Sequence, residues 1–186
     1  MSYHKRRMKQ KLKWLSVGIM LGAGAVMYFP DLQKLLERGR TAAEVIKVVD
    51  GDTFEIRYLE RTEKVRLIGI DTPESSENAK AGKDAERSGQ DVKKIVRQGN
   101  EAKKYVKALV PAGTGVRVET DAQERDKYGR LLVYLYLEDG RMINEEIVKA
   151  GYASPLTYPP NVRYKEKFLI AYRAARDERK GLWKQE

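Results

Sequence analysis

The stretch DGDTFEIRYLERTEKVRLIGIDTPE, from Asp50 to Glu74, decides how the rest of this chain is read. Two β-branched and aromatic runs, Thr53–Leu59 and Lys64–Ile70, flank the polar Glu60-Arg61-Thr62-Glu63, which is the pattern of an antiparallel hairpin closed by a four-residue loop. Such a loop pairs Leu59 with Lys64, and the same register sets Thr53 opposite Ile70 and Asp52 opposite Asp71. Like charges directly opposed destabilise a strand pair, so two facing carboxylates call for a cation that takes hard oxygen ligands. Asp50 and Glu74 add two acids at the same end. Arg66 lies on the second strand, where strict alternation points it away from Asp71. A bulge or strong twist, with Gly69 as its natural place, is therefore needed if both serve one site.

Asp-Gly is ordinary turn chemistry and Asp-Thr-Pro-Glu an ordinary strand exit, so either tetrapeptide alone is structural. Four acids and an arginine gathered at one hairpin end exceed what a turn requires.

The chain has 186 residues, 41% hydrophobic and 34% charged, enough for one domain with a real core. It contains no cysteine, which excludes disulfides and cysteine-ligated metals, and its single histidine is His4 in a basic tail. Histidine-dependent triads and most zinc hydrolase sites are thereby excluded, leaving carboxylates, arginines, lysines and tyrosines to carry chemistry. The net charge of +10 is concentrated at the N-terminus: Lys5, Arg6, Arg7, Lys9, Lys11 and Lys13 precede any acid, and residues 31–186 hold 31 basic against 27 acidic groups. A mildly basic domain is compatible with nucleic acid without demanding it.

Behind that basic cluster, Trp14–Phe29 is an uncharged run. Residues 1–30 are thus expected to form a basic tail followed by one apolar helix. That helix serves either as a membrane anchor through residues 12–29 or as a signal peptide cleaved near Ala23-Gly24-Ala25. Both options place the remainder outside the cytoplasm, at the cell membrane or secreted. Residues 31–42 read as a linker and 43–186 as the folded domain.

In that domain, strands are expected at Glu44–Val49, in the two hairpin runs, at Val116–Thr120 and at Leu131–Leu137. Three helices are expected: one N-capped by Asn100 and ended by Pro111, one from Met142 to Ala150, and one from about Val162 to Lys180. Ser75–Gly99, charged and holding three glycines, reads as a solvated surface insertion bordering the acid cluster, with Val92, Ile95 and Val96 hinting at a helical turn. The pattern alone supports an α+β class with a small barrel.

The hairpin motifs are followed by Asp126-Lys127-Tyr128-Gly129-Arg130, Asn144-Glu145, Tyr158-Pro159-Pro160-Asn161 and Gly181-Leu182-Trp183. In this order, from about Ala43 to Trp183, the chain resembles the staphylococcal nuclease (thermonuclease) family. The resemblance implies a five-stranded OB-type Greek-key barrel. It also implies a Ca²⁺-dependent nuclease acting on DNA and RNA, with single strands preferred and a monomer without protein partners. By that resemblance Asp52, Asp71 and the Thr72 carbonyl hold the metal, and Asp50 either touches it or supports a ligand. Arg66 and Arg130 clamp the phosphate, and Glu74 acts as general base or orients the water. Lys127 and Tyr128 contact substrate phosphate, and Tyr158 flanks the base pocket. Leu156 stands where the family has a second pocket tyrosine, and the family spans Ser75–Gly99 with a shorter loop. OB barrels also bind single strands without cutting them, so a tethered, catalytically weak or inactive binding module is the alternative. A purely structural membrane adaptor would leave the acids unexplained.

Overall fold

The computed structural model describes residues 42–185. The basic tail, the expected apolar helix and the linker lie outside the described residues. Among those described, no helix is long and apolar enough to cross a membrane.

Five strands close into a barrel: β1 (Ala42–Asp50), β2 (Thr53–Tyr58), β3 (Arg61–Leu67), β5 (Gly115–Glu119) and β6 (Leu131–Leu137). Neighbours run in the order β1-β2-β3-β6-β5, all antiparallel except β3 with β6, and β1 returns to β5 to close the ring. Alternation fills the interior with Val45, Phe54, Ile56, Val65, Val133 and Leu135, each wholly buried. A short pair, β4 (Gly69–Asp71) with β7 (Ser154–Leu156), lies beside the barrel and sets Gly69 opposite Leu156.

The hairpin register differs from the sequence expectation. Leu59 and Glu60 alone form the turn, both with positive φ (49° and 61°), and Tyr58 pairs with Arg61. Turns of this hand match the twist of the flanking strands, so a tight turn wins although neither residue favours that conformation. Arg61, Thr62 and Glu63 enter the strand instead of the loop. Thr53 consequently faces Arg66, not Ile70, and the Leu67 N–H donates to the Asp52 carbonyl at 2.9 Å. Asp52 and Asp71 are not cross-strand partners.

The described residues hold four α-helices, not the three expected of them. The additional one is α1 (Ala79–Ser88), N-capped by Asn78, whose side chain accepts from the N–H groups of Lys80 and Ala81, and stopped by Gly89 in the left-handed region. It buries Ala81 and Ala85 against Ile95 of α2 (Val92–Leu109). Helix α2 begins two turns before Asn100 because Asp91 caps it and Ile95, Gly99, Ala102 and Val106 continue one buried face. Asn100 is an interior residue whose amide donates to Ser75 O at 3.1 Å and Val96 O at 2.9 Å. The insertion is therefore a helical hairpin in place of a solvated loop. Helices α3 (Ile143–Lys149) and α4 (Lys165–Asp177) complete the set, with Phe168 of α4 wholly buried. Gly69 has φ +80°, and a Cβ on it would stand 2.5 Å from the Phe168 ring, so glycine is needed both for the bend and for the packing.

Candidate active site

Asp52 ties together the two ends of the organising stretch. Its Oδ2 accepts from the Thr72 N–H at 2.9 Å and the Thr72 hydroxyl at 3.0 Å, and its Oδ1 from the Thr53 hydroxyl at 3.1 Å. The turn before it lies directly on Thr72: a Cβ on Gly51 would meet the Thr72 hydroxyl oxygen at 2.7 Å. Asp50 closes that turn by accepting from the Gly51 N–H at 2.9 Å, and its other oxygen faces the Ser75 N–H at 3.4 Å.

Arg66 pairs with both Asp52 and Asp71, its Nη2 lying 2.7 Å from Asp71 Oδ1. The break after β3 and the left-handed bend at Gly69 turn Asp71 to Arg66's side, which strict alternation forbids. The two carboxylates thus meet through a guanidinium between them. Burial pushes Arg66 below its usual range. Asp71 opposes that shift, and the positive charge of Arg130 adds to it.

Arg130 reaches the same rim because β6 runs parallel to β3 with Leu132 opposite Arg66. The Asp126–Arg130 turn presents it: Asp126 accepts from the N–H groups of Tyr128 and Arg130 and from Arg130 Nε at 2.7 Å. That ion pair uses the inner nitrogen and leaves the outer fork of the guanidinium for a ligand. Tyr128 is 72% exposed, with Lys127 Nζ 5.0 Å and Arg130 Cζ 5.6 Å from its ring centroid. Lys127, Tyr128 and Arg130 therefore form one exposed, cationic, aromatic group. Tyr158 is 69% exposed on a separate loop, which Asn161 pins to Gln123 through two hydrogen bonds of 2.7 and 2.8 Å.

Glu74 is gripped at both oxygens. Asn78 Nδ2 donates to Oε2 at 2.7 Å, and Lys80 Nζ lies 3.0 Å from Oε1. Burial alone would raise this carboxyl, but those two contacts and the charges of Lys80 and Arg66 hold it below its usual value. Lys80 also lies 3.4 Å from Asp71 Oδ2, 3.3 Å from the Thr72 carbonyl and 3.3 Å from Asp84 Oδ2.

A cation fits here. Among the described residues no group of three or more acidic side chains stands ready to hold a metal by itself. However, Asp71, the Thr72 carbonyl and Glu74 converge on one positive centre, the Lys80 ammonium, and they are the hard oxygens that Ca²⁺ or Mg²⁺ takes. Asp52 lies one residue's contact away, its oxygens engaged by Thr72, Thr53 and Arg66. Sequence reasoning missed Asn78, Lys80 and Asp84. The available signals were Asn78 as a helix cap and the Lys80–Asp84 spacing of one helical turn.

A family model described as "Staphylococcal nuclease homologue" matches residues 64–185. The thermonuclease of Staphylococcus hyicus is 32% identical over 183 residues, 92% of this chain and 99% of that protein. The thermonuclease of Staphylococcus intermedius is 34% identical over 139 residues, covering 75% and 74% respectively. Endonuclease YhcR of Bacillus subtilis is 32% identical over 142 residues, 75% of this chain but 11% of that longer protein. With a closed five-stranded barrel, two arginines and an acid cluster on one rim, and these matches spanning most of its length, the chain belongs to the staphylococcal nuclease family.

Proposed function

We propose that this protein is a Ca²⁺-dependent nuclease that cleaves DNA and RNA, preferring single strands, outside the cytoplasm. Family membership carries the coarser statement, that it is a nuclease hydrolysing phosphodiester bonds. The observation supporting the finer one is the convergence, on one barrel rim, of two guanidiniums, Arg66 of β3 and Arg130 from the turn that leads into β6, with three oxygens already arranged around the Lys80 ammonium.

Arg66 and Arg130 would grip the phosphate oxygens and neutralise the charge that grows on them as the P–O bond breaks. Glu74, held ionised, would orient a water and accept its proton, since the domain offers no histidine for that task. Tyr128 and Lys127 would bear on the flanking phosphate, and Tyr158 on a base, where exposed rings suit unpaired strands. Ca²⁺ held by Asp52, Asp71 and the Thr72 carbonyl, with Asp50 behind them, would supply polarisation of the phosphoryl oxygen.

Incubating the full chain with denatured DNA in Ca²⁺ or in chelator tests this reading. Cleavage that requires Ca²⁺ is expected, and tight binding without cleavage would instead favour the single-strand-binding module. The location rests on the basic cluster and the apolar Trp14–Phe29 run, which support a tether through residues 12–29 or secretion after cleavage. Protease added to intact cells should reach a tethered domain, and protection until lysis would refute that topology.

A further inference from the structure

We infer that Lys80 is a built-in occupant of the cation position, and that a divalent ion must displace its ammonium to bind; this rests on the metal-dependent reading above. The Nζ lies 3.0 Å from Glu74 Oε1, 3.3 Å from the Thr72 carbonyl oxygen and 3.4 Å from Asp71 Oδ2. A backbone carbonyl and two carboxylates from one short segment surround it, and two of those groups, Asp71 and the Thr72 carbonyl, are proposed ligands whose oxygens Ca²⁺ would need at about 2.3–2.6 Å. Two positive centres cannot share that cradle, so occupancy by one excludes the other.

The lysine is delivered by the added helix α1. Lys80 is the second residue of α1, and the cap of that helix, Asn78, holds the other Glu74 oxygen at 2.7 Å. Helix α1 is thereby fastened to both oxygens of Glu74, and Ala81 and Ala85 seat it on Ile95 of α2. The position of the ammonium is consequently set by a packed helix, not by a wandering surface side chain.

The same helix provides a place for the ammonium to go. Asp84, one turn along, already lies 3.3 Å from Nζ. The Lys80 side chain is 39% exposed, so it can swing toward Asp84 and solvent by rotamer change alone, with α1 left in place. Arriving Ca²⁺ would take the Asp71 and Thr72 oxygens, and Lys80 would keep its acidic partners on the outer side, Glu74 and Asp84. Metal-free protein would meanwhile have its acids neutralised from within, so the site stays assembled in the absence of the ion. The cost is a weaker affinity for the ion, which suits surroundings rich in Ca²⁺.

Calcium titration calorimetry on the full chain tests this, beside thermal melting in chelator. Lys80→Met should bind Ca²⁺ tighter by about tenfold, the scale of removing one competing charge at a partly solvated rim. Its metal-free melting temperature should fall, because Glu74 loses its ion-pair partner and Asp71 keeps only Arg66. Lys80→Gln, which keeps a polar stem, should repeat the gain if the methionine variant folds poorly. Lys83→Met removes an equal charge from an exposed position on the same helix and should leave affinity within about threefold. Asp84→Asn should weaken Ca²⁺ binding in the wild-type background and do so less beside Lys80→Met. Unchanged or weaker affinity in both Lys80 variants, with wild type binding Ca²⁺, overturns this inference and leaves calcium-dependent cleavage standing. Failure of every form to bind Ca²⁺ overturns both.

Discussion

Gly99, midway along α2, packs onto the backbone of Glu74: a Cβ on it would collide with the Glu74 carbonyl and stand 2.7 Å from the Pro73 carbonyl oxygen. Those neighbours are main chain and cannot swing aside. The helix that the inserted segment lengthens is therefore also the surface against which Glu74 is set.

Gly99→Ala should lower both stability and activity. Alanine is the better helix former by about 1 kcal/mol, but forcing a methyl into a close backbone contact costs about 1–3 kcal/mol and moves Glu74. Gly82 of α1 is a matched control, since a Cβ there meets nothing within 4 Å. Gly82→Ala should stabilise by about 0.5–1 kcal/mol and leave turnover unchanged. Urea midpoints of the two variants, measured beside cleavage rates, check the contrast; a Gly99→Ala protein as stable and active as wild type would refute it.

The two arginines should separate under substitution by lysine. A point charge cannot reproduce a bidentate fork, and loss of such a donor typically lowers turnover by about 10²–10³. Arg130 is 28% exposed and its one ion pair among the described residues is through Nε to Asp126, so Arg130→Lys should lose turnover and largely keep its melting temperature. Arg66 bridges two carboxylates with only 15% of its side chain exposed, so Arg66→Lys should lose both. Near-normal kcat in the two variants would end the phosphate-clamp assignment.

Acid should undo the seat of α4 in a defined window. Glu119 and Asp121, at and just beyond the end of β5, are pushed up by burial. Hydrogen bonds from the Tyr164 hydroxyl and Arg163 to Glu119, and from the Tyr134 hydroxyl and the Arg163 N–H to Asp121, outweigh it and hold both below their ordinary 4.5 and 3.8. A folded-state pKa below the unfolded one gives stability that is complete above the ordinary value and lost as pH falls through the folded one. Urea midpoints should be flat above about pH 5 and decline below about 4.5. Glu119→Gln should shorten that decline, and an unchanged acid limb would show that the group contributes nothing.

The five barrel strands were legible because Val, Ile, Phe and Tyr alternate along them, and burial enforces the same alternation. The register was not, because it hangs on Leu59 and Glu60 adopting positive φ, which neither side chain announces. Helix α1 was hidden for a different reason: its buried face consists of two alanines, so its pattern is almost wholly polar. The acids and Arg66 could be assigned to one place from their motifs, although the contact that joins them runs through a bend at Gly69 instead of across a strand pair. Lys80, Asn78 and Asp84 read as polar surface residues, since Lys80 reaches back six and eight positions to Glu74 and Thr72, and Asn78 and Asp84 gain their roles only from a helix not foreseen.

The sequence pattern makes Asp52 one of two repelling acids, in which case Asp52→Asn would stabilise the metal-free protein. The structure reverses the sign. Asp52 is 6% exposed, accepts from both the N–H and hydroxyl of Thr72, and is paired with Arg66. Removing its charge leaves Arg66 buried with Asp71 as its remaining partner, and breaking a buried pair costs about 3–5 kcal/mol, less whatever the amide oxygen recovers by still accepting from Thr72. Asp52→Asn should therefore melt lower in chelator, bind Ca²⁺ more weakly and lose most cleavage. Glu74→Gln should behave differently, because Glu74 sits at the edge on Asn78 and Lys80 and carries no strand junction. It should lose turnover and keep most Ca²⁺ affinity, with a smaller loss of stability than Asp52→Asn because only the Lys80 ion pair at the edge is weakened. Melting curves in chelator discriminate the two directly: a metal-free Asp52→Asn protein more stable than wild type would mean that repulsion, not the Arg66 bridge, governs this corner of the barrel.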